Sequence, residues 1–170
     1  MLPEPEDETE AKVVADVREH GWHVITVRAA AHDHDDESLA SWSGDPAVEA
    51  AYDADFAYTI GLTHSFGHPE VILVGGWEHS HPYLNLVGDL VRAGRRFGPG
   101  DTSDGVLDGF GVRFAGVSDA CRKELLTWAD WAAGREPFEA LQLVFPDPFG
   151  RWPEEDGYRG FPQPALGELG

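Results

Sequence analysis

The stretch "FAYTIGLTHSFGHPEVILVGG", residues 56–76, constrains the fold more than any other part of the chain. In its second half, Val71 to Val74 form an apolar run with no polar alternation. A strand of that kind is covered on both faces, so it belongs in the middle of a sheet with layers on either side. In its first half, the large residues Phe56, Tyr58, Ile60 and Leu62 alternate with the small residues Ala57, Thr59 and Gly61. Period-two alternation predicts a strand with one bulky face and one nearly bare face, which lets a helix or a ligand approach the backbone closely. The connecting "THSFGHP" contains Gly and Pro and predicts a hairpin loop that leads into the core strand, with Glu70 at the strand entrance.

Other elements follow from local signals. Thr9 is positioned to cap a helix with Val13, Val14 and Val17 on one face, Arg18 and His20 at its end, and Gly21 as the left-handed terminator. "WHVITVR" reads as a strand that sends His23 to the side of Ile25 and Val27. "HSHPYLNLVGDLVRAGRRF" reads as an amphipathic helix with Pro82 in its first turn and Leu84, Val87, Leu90 and Val91 on one stripe. "GPGDTSDG" reads as a loop and "VLDGFGVRFAGV" as one long strand. Ser118 caps a helix whose stripe is Cys121, Leu125, Trp128 and Ala132, ended by Gly134, and "ALQLVF" is a last strand.

These signals predict a single α+β domain over residues 10–166: a mainly antiparallel sheet of about five strands with three helices packed on it. Residues 1–9 read as a disordered acidic N-terminus and 167–170 as a tail. Residues 30–53, rich in Asp, Ser, Gly and Pro, read as a surface insertion. From Pro146 onward, the density of Pro and Gly predicts a segment that wraps the surface without forming elements.

Composition narrows the function classes. Twelve Lys and Arg stand against 31 Asp and Glu, a net charge of −19. Residues 1–55 hold 15 acids and 3 bases, a net of −12, leaving −7 for the rest. Such a chain opposes nucleic acid and anionic membrane surfaces. A single cysteine excludes an intramolecular disulfide. No apolar run approaches the roughly 20 residues of a membrane helix. The acidic start does not resemble a signal peptide, so the expected location is the cytoplasm.

The densest reactive cluster is His64, His68, Glu70, Glu78, His79 and His81. His64, His68 and Glu70 are weak metal candidates: the H-x3-H spacing followed by a carboxylate can supply ligands, but no H-E-x-x-H or C-x-x-C signature accompanies it. The structural alternative makes these residues loop and helix-start groups. "HDHDDE" at 32–37 lacks the Gly and distal Glu of a calcium loop and reads as solvated. Cys121, on an apolar stripe, reads as a buried thiol. The chain contains no G-x-S-x-G elbow, Walker loop or dinucleotide fingerprint, and no cofactor is predicted.

Taken together, "GWHVITV", "FAYTIGLTHSFGHPEVILVGG", "YLNLVGDLVRAGRRF" and "LQLVFPDPFGRWPEEDGY…QPAL" resemble the bacterial family of domain of unknown function 4262, from about Gly21 to Leu166. The matching residues include Gly21-Trp22-His23, Tyr58 to Leu62, His68-Pro69-Glu70, Leu84-Asn85, Leu141-Gln142, Pro146-Asp147 and Gln163-Pro164. The "RWPEED" segment departs from the family's more aromatic form. The resemblance brings no assigned reaction. Within it, His68 and Glu70 fit the pattern whereas His64, His79 and His81 do not, which argues against a shared four-ligand metal site.

His23, Tyr58, Thr59, His68, Glu70, Asn85 and Gln163 are polar residues in core-like elements, and buried polar groups need partners. Two readings stand: they line a ligand pocket, or they pin the sheet to the C-terminal wrap. Three functions are weighed accordingly. The first is an accessory protein that binds a small molecule or a protein partner, with a homodimer possible. The second is a hydrolase or isomerase using His68 as base and Glu70 as orienting carboxylate, with His23 as an optional third member and with or without a metal. The third rests on the likeness of residues 56–96 to a flavin-binding split barrel.

Overall fold

The computed structural model describes residues 2–27, 46–75, 80–107, 110–134 and 136–167. Twelve elements are placed among them. In chain order they are α1 (Glu8–His20), β1 (His23–Val27), α2 (Pro46–Ala54), β2 (Phe56–Ile60), α3 (Leu62–Phe66), β3 (Glu70–Val74), α4 (Ser80–Arg92), β4 (Thr102–Leu107), β5 (Phe110–Gly116), α5 (Asp119–Leu125), α6 (Thr127–Ala132) and β6 (Ala140–Val144). The architecture is α+β. The sheet has six strands in the order β1-β2-β3-β6-β5-β4 and is mixed, with β3 and β6 parallel and every other pair antiparallel.

The expectation of a mainly antiparallel five-stranded sheet with three helices is therefore corrected in its details. The parallel pair arises because the chain leaves β3, builds α4, the β4–β5 hairpin and α5–α6, and only then returns beside β3. That contact joins residues about seventy positions apart, and no local pattern encodes it. The sixth strand, β4, falls in the segment read as a loop. It is a polar edge strand in which Ser103 and Val106 are buried and Thr102, Asp104 and Gly105 are exposed. The long strand expected over "VLDGFGVRFAGV" divides into β4 and β5, which pair back on each other with Leu107 opposite Phe110. Among the described residues the strand order is open, with β1 and β4 at the two edges, whereas a split barrel would close.

The additional helices have local causes. The hairpin loop between β2 and β3 contains the short helix α3, ended by Gly67 in the left-handed conformation with its N–H bonded back to Leu62 and Thr63 carbonyls. The helix expected from Ser118 to Gly134 breaks at Leu126 (φ −95°, ψ 51°) into α5 and α6, while Ser118 caps α5 as predicted. Within the presumed insertion at 30–53, Pro46 opens α2, and Val48 and Ala51 are buried in the core. The remainder of that insertion, residues 30–45, lies outside the described residues, as do Glu78 and His79. At the N-terminus, where disorder was expected, Leu2 is buried, and Asp7 instead of Thr9 caps α1 by accepting from Glu10 N–H at 2.8 Å.

One core lies on each face of the sheet. Phe56, Tyr58, Ile60, Ile72 and Val74 pack against α1, α2, α5 and α6 on the first face, with Cys121 and Leu125 among the helical partners. Ala57, Val71, Leu73, Val112, Phe114, Leu141, Leu143 and Phe145 meet Leu84, Val87 and Val91 of α4 on the second. The bulky and bare faces read in β2 are thus both present, and the helix that takes the bare face is α4. Two central strands, β3 and β6, are buried along their whole lengths. No described helix is long and apolar enough to cross a membrane.

Candidate functional site

Edge strand β1 is where the two faces become accessible. Among the described residues it pairs with β2 alone, in the register His23↔Ile60 and Val24↔Thr59. His23 follows Ile25 and Val27 to the α1 side, as predicted, while Val24 packs in the α4-side core. An open cleft of about 450 Å³ straddles this edge, lined from α1 by Lys12, Asp16 and His20, from β1 by Trp22, His23 and Val24, and from α4 by His81, Asn85 and Arg92.

The helical contributions have a simple sequence basis. Lys12, Asp16 and His20 are spaced four apart and share one face of α1. His81, Asn85, Gly88 and Arg92 fall at i, i+4, i+7 and i+11 and share one face of α4. Gly88 allows the contact between α4 and Trp22: a Cβ there would lie 2.3–2.8 Å from indole atoms. Trp22 is thereby held, almost fully buried, beneath the cleft.

Two hydrogen-bond chains set the chemistry. His23 Nδ1 lies 2.8 Å from Asp16 Oδ2, and Lys12 Nζ lies 3.2 Å from the same oxygen. Burial pushes the Asp16 carboxyl up, but the bonds from His23 and Lys12 outweigh it and hold the group below the usual carboxylate range. Facing a carboxylate, Nδ1 of His23 carries a proton, so in the neutral ring Nε2 is an acceptor. In the second chain, Trp22 Nε1–H donates to Asn85 Oδ1 at 2.9 Å. This fixes the Asn85 amide, whose Nδ2 then donates to His81 Nδ1 at 3.2 Å and leaves the neutral His81 proton on Nε2.

The other candidates do not line this cleft. Glu70 is buried and fully engaged: its Oε1 accepts from Thr59 Oγ1 (2.9 Å) and Leu62 N–H (3.0 Å), its Oε2 from Gly61 N–H and Thr63 N–H (both 3.1 Å). It caps α3 from outside the helix, and Thr59 in turn accepts from Val71 N–H at 2.9 Å. Burial pushes the Glu70 carboxyl up, and the four donors oppose that. The three main-chain N–H groups can only donate and Thr59 can do either, so a carboxylate satisfies all four. His68 is buried as well, donating from Nδ1 to the Pro69 carbonyl at 2.7 Å and accepting at Nε2 from Phe97 N–H at 3.1 Å. Burial lowers its pKa, with the Pro69 bond opposing and the Arg96 charge adding to the shift.

Tyr58 has its hydroxyl against Trp128 N–H at 3.0 Å, and burial pushes its pKa up to about 12. Gln163 accepts from Phe145 N–H and donates to the Phe145 carbonyl, both at 2.8 Å, so its amide extends β6 as a strand would. It also borders a second, smaller cleft of about 140 Å³ beside Arg113, Glu154 and Gln142. The seven candidates thus divide. His23 and Asn85 border the β1-edge cleft, Gln163 borders the smaller one while fastening the tail to β6, and Tyr58, Thr59, His68 and Glu70 fasten elements together; the expected pairing of His68 with Glu70 as base and orienter is not formed. His64 is exposed while His68 and Glu70 are buried, and no group of three or more metal-ligating side chains comes together among the described residues.

A family model described as Domain of unknown function (DUF4262) matches residues 16–159. The chain belongs to this family. The DUF4262 match spans every cleft residue except Lys12 and includes all candidates except Gln163. No curated protein and no solved structure matches the chain. Sequence reading missed Lys12, Asp16, Trp22 and Arg92 of this DUF4262 cleft. The polar stripes on α1 and α4 were visible in the spacing, but the meeting of the two stripes across β1 was not.

Proposed function

We propose that the protein binds a small polar molecule in the cleft at the edge of β1 and serves as an accessory binding protein. The observation that carries this reading is the pair of fixed hydrogen-bond chains, Asp16–His23 and Trp22–Asn85–His81, bordering one open space. Such cavities bind through a few convergent polar groups above an apolar base, here Trp22 and Val24. Ligand-observed NMR with a library of small carboxylates, amides and polyols tests it. Hits are expected to shift the Trp22 Nε1–H and Asn85 side-chain resonances and to be lost in His23→Ala and Asn85→Ala. Hits that leave those resonances unmoved, or none for a folded protein, refute the reading.

The Asp16–His23 pair supports a second reading. An imidazole oriented by a carboxylate is the arrangement of a general base, which transfers the hydrolase or isomerase alternative from His68 and Glu70 to His23. Turnover of any NMR hit that disappears in His23→Ala would favour it over simple binding.

A further inference from the structure

We propose that the ligand of the β1-edge cleft is a small hydroxy acid, its hydroxyl donating to His23 and its carboxylate received by His81 and Arg92. The inference rests on the binding role assigned above and adds the class of molecule. Asp16, the one carboxylate among the described residues that line the cleft, is already engaged by His23 and Lys12. The lining groups left to meet a guest are then mostly donors and cations, in a chain whose net charge is −19.

Arg92 is held from two sides, by Asp89 at 2.7 Å and by the Trp22 ring at 5.1 Å from its guanidinium carbon. It presents a planar donor edge suited to a carboxylate. His81, with Nδ1 occupied by Asn85, offers Nε2–H as a further donor. His23 lines the same space, and with Nδ1 bonded to Asp16 its Nε2 is left as an acceptor with no partner among the described residues. An anion with no hydroxyl would leave that acceptor unmatched. An anion with a hydroxyl satisfies both kinds of group.

The pair lactate and propionate, which differ by that hydroxyl, tests the assignment by 15N–1H NMR on the full chain at millimolar concentrations. The free protein is expected to show His23 as the Nδ1–H tautomer. Lactate should shift the His23 Nε2 and Trp22 Nε1–H resonances and bind about 3- to 10-fold more tightly than propionate, the worth of one hydrogen bond. His23→Ala should abolish that preference and retain the weaker carboxylate binding, while Arg92→Gln should weaken both acids. Equal affinity for the two, or a preference that survives His23→Ala, overturns the hydroxy-acid assignment and leaves the binding cleft intact. If neither acid moves the cleft resonances while another class of library hit does, the ligand class is wrong. If no compound moves them, the cleft reading itself falls.

Discussion

Replacing Glu70 with Gln keeps shape and volume but removes charge and two lone-pair sites from a carboxylate that accepts four hydrogen bonds. The least damaging placement of the new amide puts its NH2 toward Thr59, whose hydroxyl oxygen can accept. That leaves Leu62 N–H facing another donor, at about 1–3 kcal/mol for a buried unpaired group. The bonds from Gly61 and Thr63 N–H lose their charge assistance, about 1 kcal/mol each. The lower cost of burying a neutral group offsets part of this, for a net loss of about 2–4 kcal/mol. In a chain of this length that lowers Tm by roughly 5–15 °C, measurable by circular dichroism. The refuting outcome is specific. If the native carboxyl were protonated, Gln would mimic it, and a change under about 0.5 kcal/mol would show that the four donors do not hold an anion.

Three other outcomes follow from the same physics. Gly88→Ala pushes a methyl into the Trp22 ring and should cost about 1–3 kcal/mol in urea unfolding while shifting the Trp22 fluorescence, because the helix cannot move off β1 without unpacking Leu84 and Val87. His68 has a folded pKa below its ordinary value near 6.5, so the unfolded chain binds the extra proton. Its contribution is fully present above about pH 6.5 and is lost as pH falls through the folded value, and His68→Gln should flatten the fall of the urea midpoint between pH 7.5 and 5. Gln163→Ala unpairs the Phe145 backbone and should raise hydrogen exchange across residues 146–166 while leaving β2 and β3 protected.

Glu70 and His68 also show how far the sequence carries the argument. Two polar residues at the entrance of an apolar strand signal either a site or a fastening, and the pattern is the same for both. The difference lies in where the main-chain N–H groups of residues 61–63 and 97 come to rest, and these depend on α3 and on the loop after α4. Gln142 and Gln163 pose the same ambiguity. Their amides fasten Leu166, Pro164 and Phe145, which join β6 to a tail that has no elements of its own.

The sequence by itself determined what depends on near neighbours: the buried character of Val71–Val74, the bulky and bare faces of β2, the α4 stripe and the Ser118 cap. Each follows from side-chain periodicity or from hydrogen bonds within a few residues. Only the tertiary structure decided that β6 returns parallel to β3, that edge strand β1 separates two polar helix faces, and that Asp16 orients His23 while Trp22 orients Asn85. Those pairings join groups seven to seventy residues apart, so they depend on how elements pack and not on any local preference.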